Sequence, residues 1–368
     1  MTAMDGLEGV VVADTQLSDV DGERGRLVIR GHDVEALALS VDFESACALL
    51  WTGALPDARA HEALRAQLGR ARVRAFERLP LLGDALDAAD GMEALRAGLA
   101  HFRASELEAH DLHAALTGAV AVVAAAWARR RRGAPPLAPD PGLGHAADTL
   151  RMASLHGSDP ARARALDTYL VTVADHGMNA STFTARVVAS TASDPVSAVV
   201  AALGALKGPL HGGAPGPVLA MLDAIGSPER AASWIAAELD AGRRIYGMGH
   251  RVYRVRDPRA AVLERAVERL RAAGLRSDRL DLARAVEAVA VASLGERRPD
   301  RRLAVNVEFY TAVILDAIGL PLELFSPTFA VARVAGWLAH VDEQTRGGRL
   351  IRPSSRYVGP MPETPAAA

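Results

Sequence analysis

The chain has 368 residues, enough for one large domain or two, and a formal net charge of −2 at pH 7, which excludes a global basic field for nucleic acid or an anionic membrane. Half of the residues are hydrophobic but only 4% are aromatic, so the apolar content is mostly Ala, Leu and Val, a mixture that favours helices over sheet. One cysteine, Cys47, excludes an intrachain disulfide and a cysteine-rich metal site, and its apolar neighbours predict a buried, inert thiol.

The first ten residues, MTAMDGLEGV, lack the basic start and apolar run of a signal peptide, so the expected location is cytoplasmic. Residues 9–13 and 26–30 carry the strand signals and are expected to pair as a short hairpin. The apolar run 114–127 falls short of the roughly 20 residues that span a bilayer and reads as a buried helix ending in the solvated arginines 129–132. Residues 133–144, rich in Pro and Gly, read as a loop. Five helices then announce their starts with a cap residue and proline, and each meets a glycine at its expected end. Asp159-Pro160 opens one that runs to about His176, and Asp194-Pro195 one that stops at Gly208. Ser227-Pro228 leads to Gly242, Asp257-Pro258 to Gly274, and Ser326-Pro327 to Gly347. The expectation is an all-α chain of roughly fifteen to twenty helices, with a disordered tail over 360–368.

Lys207 is the only lysine, so almost every cation is a guanidinium able to grip a carboxylate or phosphate with a planar fork. Three histidines sit in segments unlike ordinary core. His211 lies in GPLHGGA, His250 in GMGHRVYRVRDPR, and His176 precedes Gly177 and Asn179. Glycine on either side lets backbone approach a ligand, although a single histidine beside glycine is commonly structural. No two of them have metal-ligand spacing, so no metal is expected. Arg254, Arg259, Arg333 and Arg352 accompany them, and Arg333 stands in the otherwise apolar AVARVAGWLAH, where a guanidinium needs an anionic partner. Several arginines with neutral histidine donors suit a small dicarboxylate. Glu308, between Val307 and Phe309, is either a buried general base or a helix-start glutamate favouring the dipole.

In this order, LEGVVVADTQLSDVDGERGRLVIRG, DHGMNASTFTARVVAST, LKGPLHGGA, IYGMGHRVYRVRDPRA, NVEFYTAVILDAIGLPLELFSPTFAVARVAGWLAH and RLIRPSSRYVG resemble the citrate synthase family over essentially the whole chain. The resemblance implies a two-domain helical homodimer of the tricarboxylic acid cycle that condenses acetyl-CoA with oxaloacetate and needs no cofactor beyond the acyl-CoA co-substrate. A large domain over 1–211 and 314–368 would enclose a small domain over 212–313. By carry-over Glu308 is the base, His211 the enolate donor, and His250 the group that polarises the ketone and supplies a proton to the alkoxide. His176, Arg259 and Arg333, with Asn179 beside them, match the positions that hold oxaloacetate. Arg352 matches an arginine donated across the dimer, and Arg254, with backbone around Met248 and Gly249, matches CoA contacts.

The chain departs from the family at several of these places. The family base is aspartate where this chain has Glu308, and a shift of about an ångström in a reacting group can cost roughly a hundredfold in rate. Pro215-Gly216 replaces Asn-Glu after GPLHGGA, Gly177 replaces the glutamate after His176, and Asp90-Gly91-Met92 replaces His-Pro-Met. Two alternatives follow: a 2-methylcitrate synthase using propionyl-CoA, and a catalytically weak paralogue that binds oxaloacetate or CoA.

Overall fold

The computed structural model describes residues 5–7, 9–106, 111–154, 159–212, 215–250, 252–275, 278–298 and 303–361. The chain is all-α, with fifteen α-helices and one small sheet among the described residues. Aspartate and asparagine caps set the helix starts. Asp42 opens α2 (Phe43–Thr52), Asp57 opens α3 (Ala58–Glu77) and Asp90 opens α4 (Gly91–Ala100), each accepting a first-turn N–H.

The expected hairpin exists, but with a different first strand. β1 (Ser18–Asp21) pairs antiparallel with β2 (Arg26–Ile29), in the register Ser18 to Ile29 and Asp21 to Arg26, and β3 (His32–Asp33) adds to β2. Residues 9–13 are not a strand. Pairing 18–21 closes a four-residue turn, in which Asp21 accepts from the N–H groups of Glu23 and Arg24 at 3.1 and 2.9 Å. A strand at 9–13 would have to close a longer loop without that turn chemistry.

Two helices form the centre. α5 (Leu112–Arg131) is twenty residues long, so by length and apolarity it reaches the membrane-spanning range that the 114–127 run fell short of. Its residues 114–128 are instead all buried, against α3, α4 and α6 (His145–Ala153). α15 (Phe325–Gly347) crosses α5 and also packs on α2 and on α7 (Pro160–Val173), α8 (Ala180–Ala189) and α9 (Pro195–Leu206). Arg72 of α3 pairs with Asp148 of α6 at 2.7 Å, both fully buried, and Arg72 also donates to the Leu143 carbonyl at 2.8 Å. Cys47 is buried, and burial pushes its thiol up.

The remaining helices are α1 (Val34–Ser40), α10 (Pro215–Ile225), α11 (Ala231–Asp240), α12 (Pro258–Ala272), α13 (Asp278–Arg297) and α14 (Val307–Ala317). α11 packs on α13, α14 packs on α10, α12 and α13, and α12 leans across onto α1 and α7. Three helix boundaries differ from the cap-and-proline reading: Ser227-Pro228 opens a 3₁₀ turn (Pro228–Arg230) ahead of α11, and the other two differences shape the site. α7 stops at Val173, three residues before His176, because Arg333 takes the Val173 carbonyl at 2.7 Å and Gly177 turns the chain at φ 58°. α15 starts at Phe325, directly after a 3₁₀ turn (Leu322–Leu324), so Ser326 is inside the helix and donates to the Gly212 carbonyl at 2.7 Å instead of capping. Of the tail, residues 362–368 lie outside the described residues.

Candidate active site

A short backbone zipper fixes two of the candidate groups in one frame. Gly249 N–H donates to the Ala304 carbonyl at 2.8 Å, and Asn306 N–H donates to the Gly247 carbonyl at 2.9 Å. Met248 bridges Val305 between them. Asn306 then caps α14, which places Glu308 in the first turn, and its Nδ2 donates to the Gly249 carbonyl at 2.9 Å. Gly247 is required here: its φ is 76°, and a Cβ would stand 2.7 Å from the Phe309 ring. His250 follows at once, and its Nδ1 accepts from the N–H groups of Val252 and Tyr253 at 3.0 and 3.2 Å. The proton of the neutral ring therefore sits on Nε2, as a free donor.

His176 completes an aromatic cluster. Its Nε2 lies 3.1 Å from the Tyr253 hydroxyl, and its ring centroid is 5.6 Å from that of His250, which is 4.8 Å from that of Tyr253. Burial, then Arg259 and Arg333, push His176 well below the ordinary histidine value. Burial and Arg259 bring His250 down to about 4. Both rings are neutral at physiological pH, so they donate hydrogen bonds without adding charge.

Arg259 and Arg333 are buried but differ in how they are satisfied. Asp257 grips Arg259 with Oδ1 at 3.0 Å from Nε and Oδ2 at 2.7 Å from Nη2, and takes the Val307 N–H at 3.2 Å. Arg333 is 1% exposed, lies 4.7 Å from the centroid of the Phe329 ring and spends Nε on Val173, while its Nη2 has no partner among the described residues. Burial brings Arg333 down to about 10, against the opposing pull of Asp175. Asp175 is itself buried. Burial alone would raise it, but His340 at 3.2 Å, Arg333 and the Ser18 hydroxyl at 2.5 Å hold it at about 2.

His211 is held by the first turn of α8. Ser181 N–H, one of the helix's free N-terminal donors, points at His211 Nε2 at 3.3 Å, and Ser181 Oγ lies 2.8 Å from the same nitrogen. Trp337 Nε1 donates to that hydroxyl at 3.1 Å. With Nε2 accepting, the neutral ring carries its proton on Nδ1. Burial and Arg333 lower His211 to about 4. Glu308 moves the other way: burial raises its carboxyl to about 7, although Arg259 and Arg333 favour its ionised form.

His176, His211, His250, Arg259, Arg333 and Glu308 thus share one neighbourhood, linked through the fields of the two arginines. Asn179 does something else. It caps α8, with Oδ1 accepting from Thr182 N–H and Nδ2 donating to Gly177 and Thr182, so its polar atoms are committed locally. Arg352 is exposed on the coil after α15. Arg254 is exposed at a surface cleft of about 540 Å³ whose other charged residues, Asp19, Asp21 and Glu23, are acidic. Met248 and Gly249 are half-buried in the zipper. The sequence reading missed Asp257, Tyr253, Ser181 and Asp175. Asp257 was legible only as a helix cap; Tyr253 shares the motif of His250, whereas Ser181 and Asp175 lie in the motif of His176 and contact His211 and His340 of other segments.

This geometry has close relatives. The family described as "Citrate synthase, C-terminal domain" matches residues 6–354. A citrate synthase of Haloferax volcanii is 40% identical over 96% of this chain and 95% of its own length. A 2-methylcitrate synthase of Mycobacterium tuberculosis is 38% identical over 96% and 90%. The structure of a Thermoplasma acidophilum citrate synthase in ternary complex with carboxymethyl coenzyme A and oxaloacetate superposes with TM-score 0.86 at 28% identity, covering 98% of this chain and 97% of that one.

Proposed function

Because the chain belongs to the citrate synthase family, we propose that its cleft condenses acetyl-CoA with oxaloacetate and water to citrate and CoA, with Glu308 as the base. The observation that carries this reading is Arg333: a guanidinium 1% exposed with a terminal nitrogen unpaired is costly unless an anion completes it. Oxaloacetate supplies two carboxylates and a ketone. Arg333 Nη2 and Arg259 receive the carboxylates with His176 beside them, and His250 Nε2–H donates to the ketone oxygen.

The acetyl-CoA methyl proton is weakly acidic, so its removal needs a base and an enolate stabiliser together. Glu308 takes the proton, and its carboxyl value near 7 suits that exchange at neutral pH. The Nδ1–H of His211 donates to the thioester oxygen as negative charge develops there. The enolate carbon attacks the ketone carbon, and His250 stabilises the alkoxide that forms. Water then cleaves the thioester, releasing CoA and citrate. Because both imidazoles are neutral, their hydrogen bonds strengthen as charge builds on the substrate oxygens.

The exposed apolar residues of the C-terminal coil support a homodimer in which Arg352 reaches the partner's site. Leu350, Tyr357, Val358 and Met361 are 57%, 68%, 82% and 76% exposed in the single chain. The test of the function is release of free CoA from acetyl-CoA and from propionyl-CoA, each with and without oxaloacetate. Release from acetyl-CoA that requires oxaloacetate supports the reading, and faster release from propionyl-CoA would favour 2-methylcitrate formation. Thermal stabilisation by oxaloacetate without any release would leave a binding paralogue.

A further inference from the structure

Two buried hydroxyls, those of Tyr169 and Thr311, face each other near Glu308, and neither makes a well-formed hydrogen bond among the described residues. Tyr169 lies on α7 one turn before Val173, whose carbonyl holds Arg333. It is fully buried, and its hydroxyl has no hydrogen-bond partner among the described residues. α14 packs against α7 here, and Thr311, three residues after Glu308, is also fully buried with an unpartnered hydroxyl. The phenol faces Thr311 and feels the fields of Glu308, Arg333 and Arg259. A phenylalanine and a valine would fill the same space without burying two hydroxyls that have only each other among the described residues. Thr311 lies one helical turn after Glu308, whose field reaches the phenol, and a glutamate has one more torsion to restrain than an aspartate.

We propose that Tyr169 is a positioning residue for Glu308, its O–H, with that of Thr311, closing on the carboxylate when substrates bind and selecting the side-chain torsion from which the base acts. This rests on the reading of Glu308 as the base. The phenol is a donor throughout the working range, because burial pushes its ionisation far upward. A hydrogen bond donated to the carboxylate favours its charged form and holds it within reach of the methyl proton.

The experiment compares Tyr169→Phe, Glu308→Asp and the double variant by kcat, KM and the pH profile of kcat/KM, with melting temperature as the fold control. Tyr169→Phe is expected to lower kcat on the order of tenfold, to leave both KM values within about twofold, and to move the acid limb upward by about half a pH unit or more. Its melting temperature is expected to hold or rise, since an unpaired buried hydroxyl is gone. In the Glu308→Asp background, where the carboxylate is shorter, adding Tyr169→Phe is expected to cost less than about twofold. A Tyr169→Phe enzyme with the wild-type kcat and pH profile, or a loss that multiplies unchanged onto Glu308→Asp, overturns the proposal. Should Tyr169→Phe fail to fold, Thr311→Val carries the same expected shift of the acid limb, and an unmoved limb there overturns it. A wild-type chain that does not condense at all removes the parent reading too, whereas an active wild type with an indifferent Tyr169→Phe removes this inference alone.

Discussion

Replacing Arg333 by methionine separates an anion-binding role from a structural one. Among the described residues the guanidinium makes one hydrogen bond, to Val173 at 2.7 Å, and leaves Nη2 unpaired. Its removal strands the Val173 carbonyl, which costs about 1–3 kcal/mol, but also relieves the burial of a half-satisfied cation, which is worth a similar amount or more. Asp175 loses a cationic neighbour and keeps His340 and Ser18. The net change in free-chain stability is therefore expected within about 2 kcal/mol, a shift of a few degrees at about 2–4 °C per kcal/mol. Binding responds differently. Truncating one partner of a buried, hydrogen-bonded charge pair costs about 2–5 kcal/mol, or roughly thirtyfold to a few thousandfold in affinity for oxaloacetate. Calorimetric titration with oxaloacetate, beside melting curves with and without it, measures both numbers. A variant that loses much stability yet binds oxaloacetate like the wild type would refute the reasoning and make Arg333 a core residue.

Three further outcomes are expected. The kcat/KM of the wild type should fall with unit slope below pH about 7 as Glu308 takes up its proton, and Glu308→Gln should lose about a hundredfold or more in kcat with unchanged melting; a flat profile from pH 5 to 8 would exclude Glu308 as the base. Mixing inactive Arg352→Ala and His250→Ala chains should restore part of the activity, because a mixed dimer rebuilds one complete site; an inert mixture, with both chains folded and exchanging, would deny that Arg352 acts across an interface. Asp148→Asn should lower stability by about 3–5 kcal/mol, since it leaves the buried Arg72 charge uncompensated, which chemical denaturation checks; a change below 1 kcal/mol would show that Arg72 finds another partner.

Much of this architecture is legible in the sequence because it is written locally. The Asp-Pro pairs at 159, 194 and 257 each open a helix in the structure, and the glycines at 177, 242 and 274 each adopt positive φ. The failures arise where a distant residue overrides a local signal. α7 ends early because Arg333, 160 positions away, takes a carbonyl from its last turn. Ser326 reads as a cap but sits inside α15 because the preceding 3₁₀ turn leads straight into it. The histidines and arginines of the site stand out through glycine context and through charge in apolar runs. Asp257, Asp175 and Ser181 do not, because their work is to orient other groups, and that depends on pairings the one-dimensional pattern does not contain. Asn179 is the converse case: the motif marks it, and the structure spends it on capping α8.

The most direct measurement is a crystal structure of the chain soaked with oxaloacetate and an unreactive CoA thioether. The expected result is a ligand carboxylate on Arg333 Nη2, the ketone oxygen on His250 Nε2, and the Glu308 carboxylate within hydrogen-bonding reach of the carbon that replaces the acetyl methyl. Oxaloacetate bound elsewhere, with Arg333 still unpaired and Glu308 turned from the thioether, would contradict the assignment of this cleft as the site of condensation.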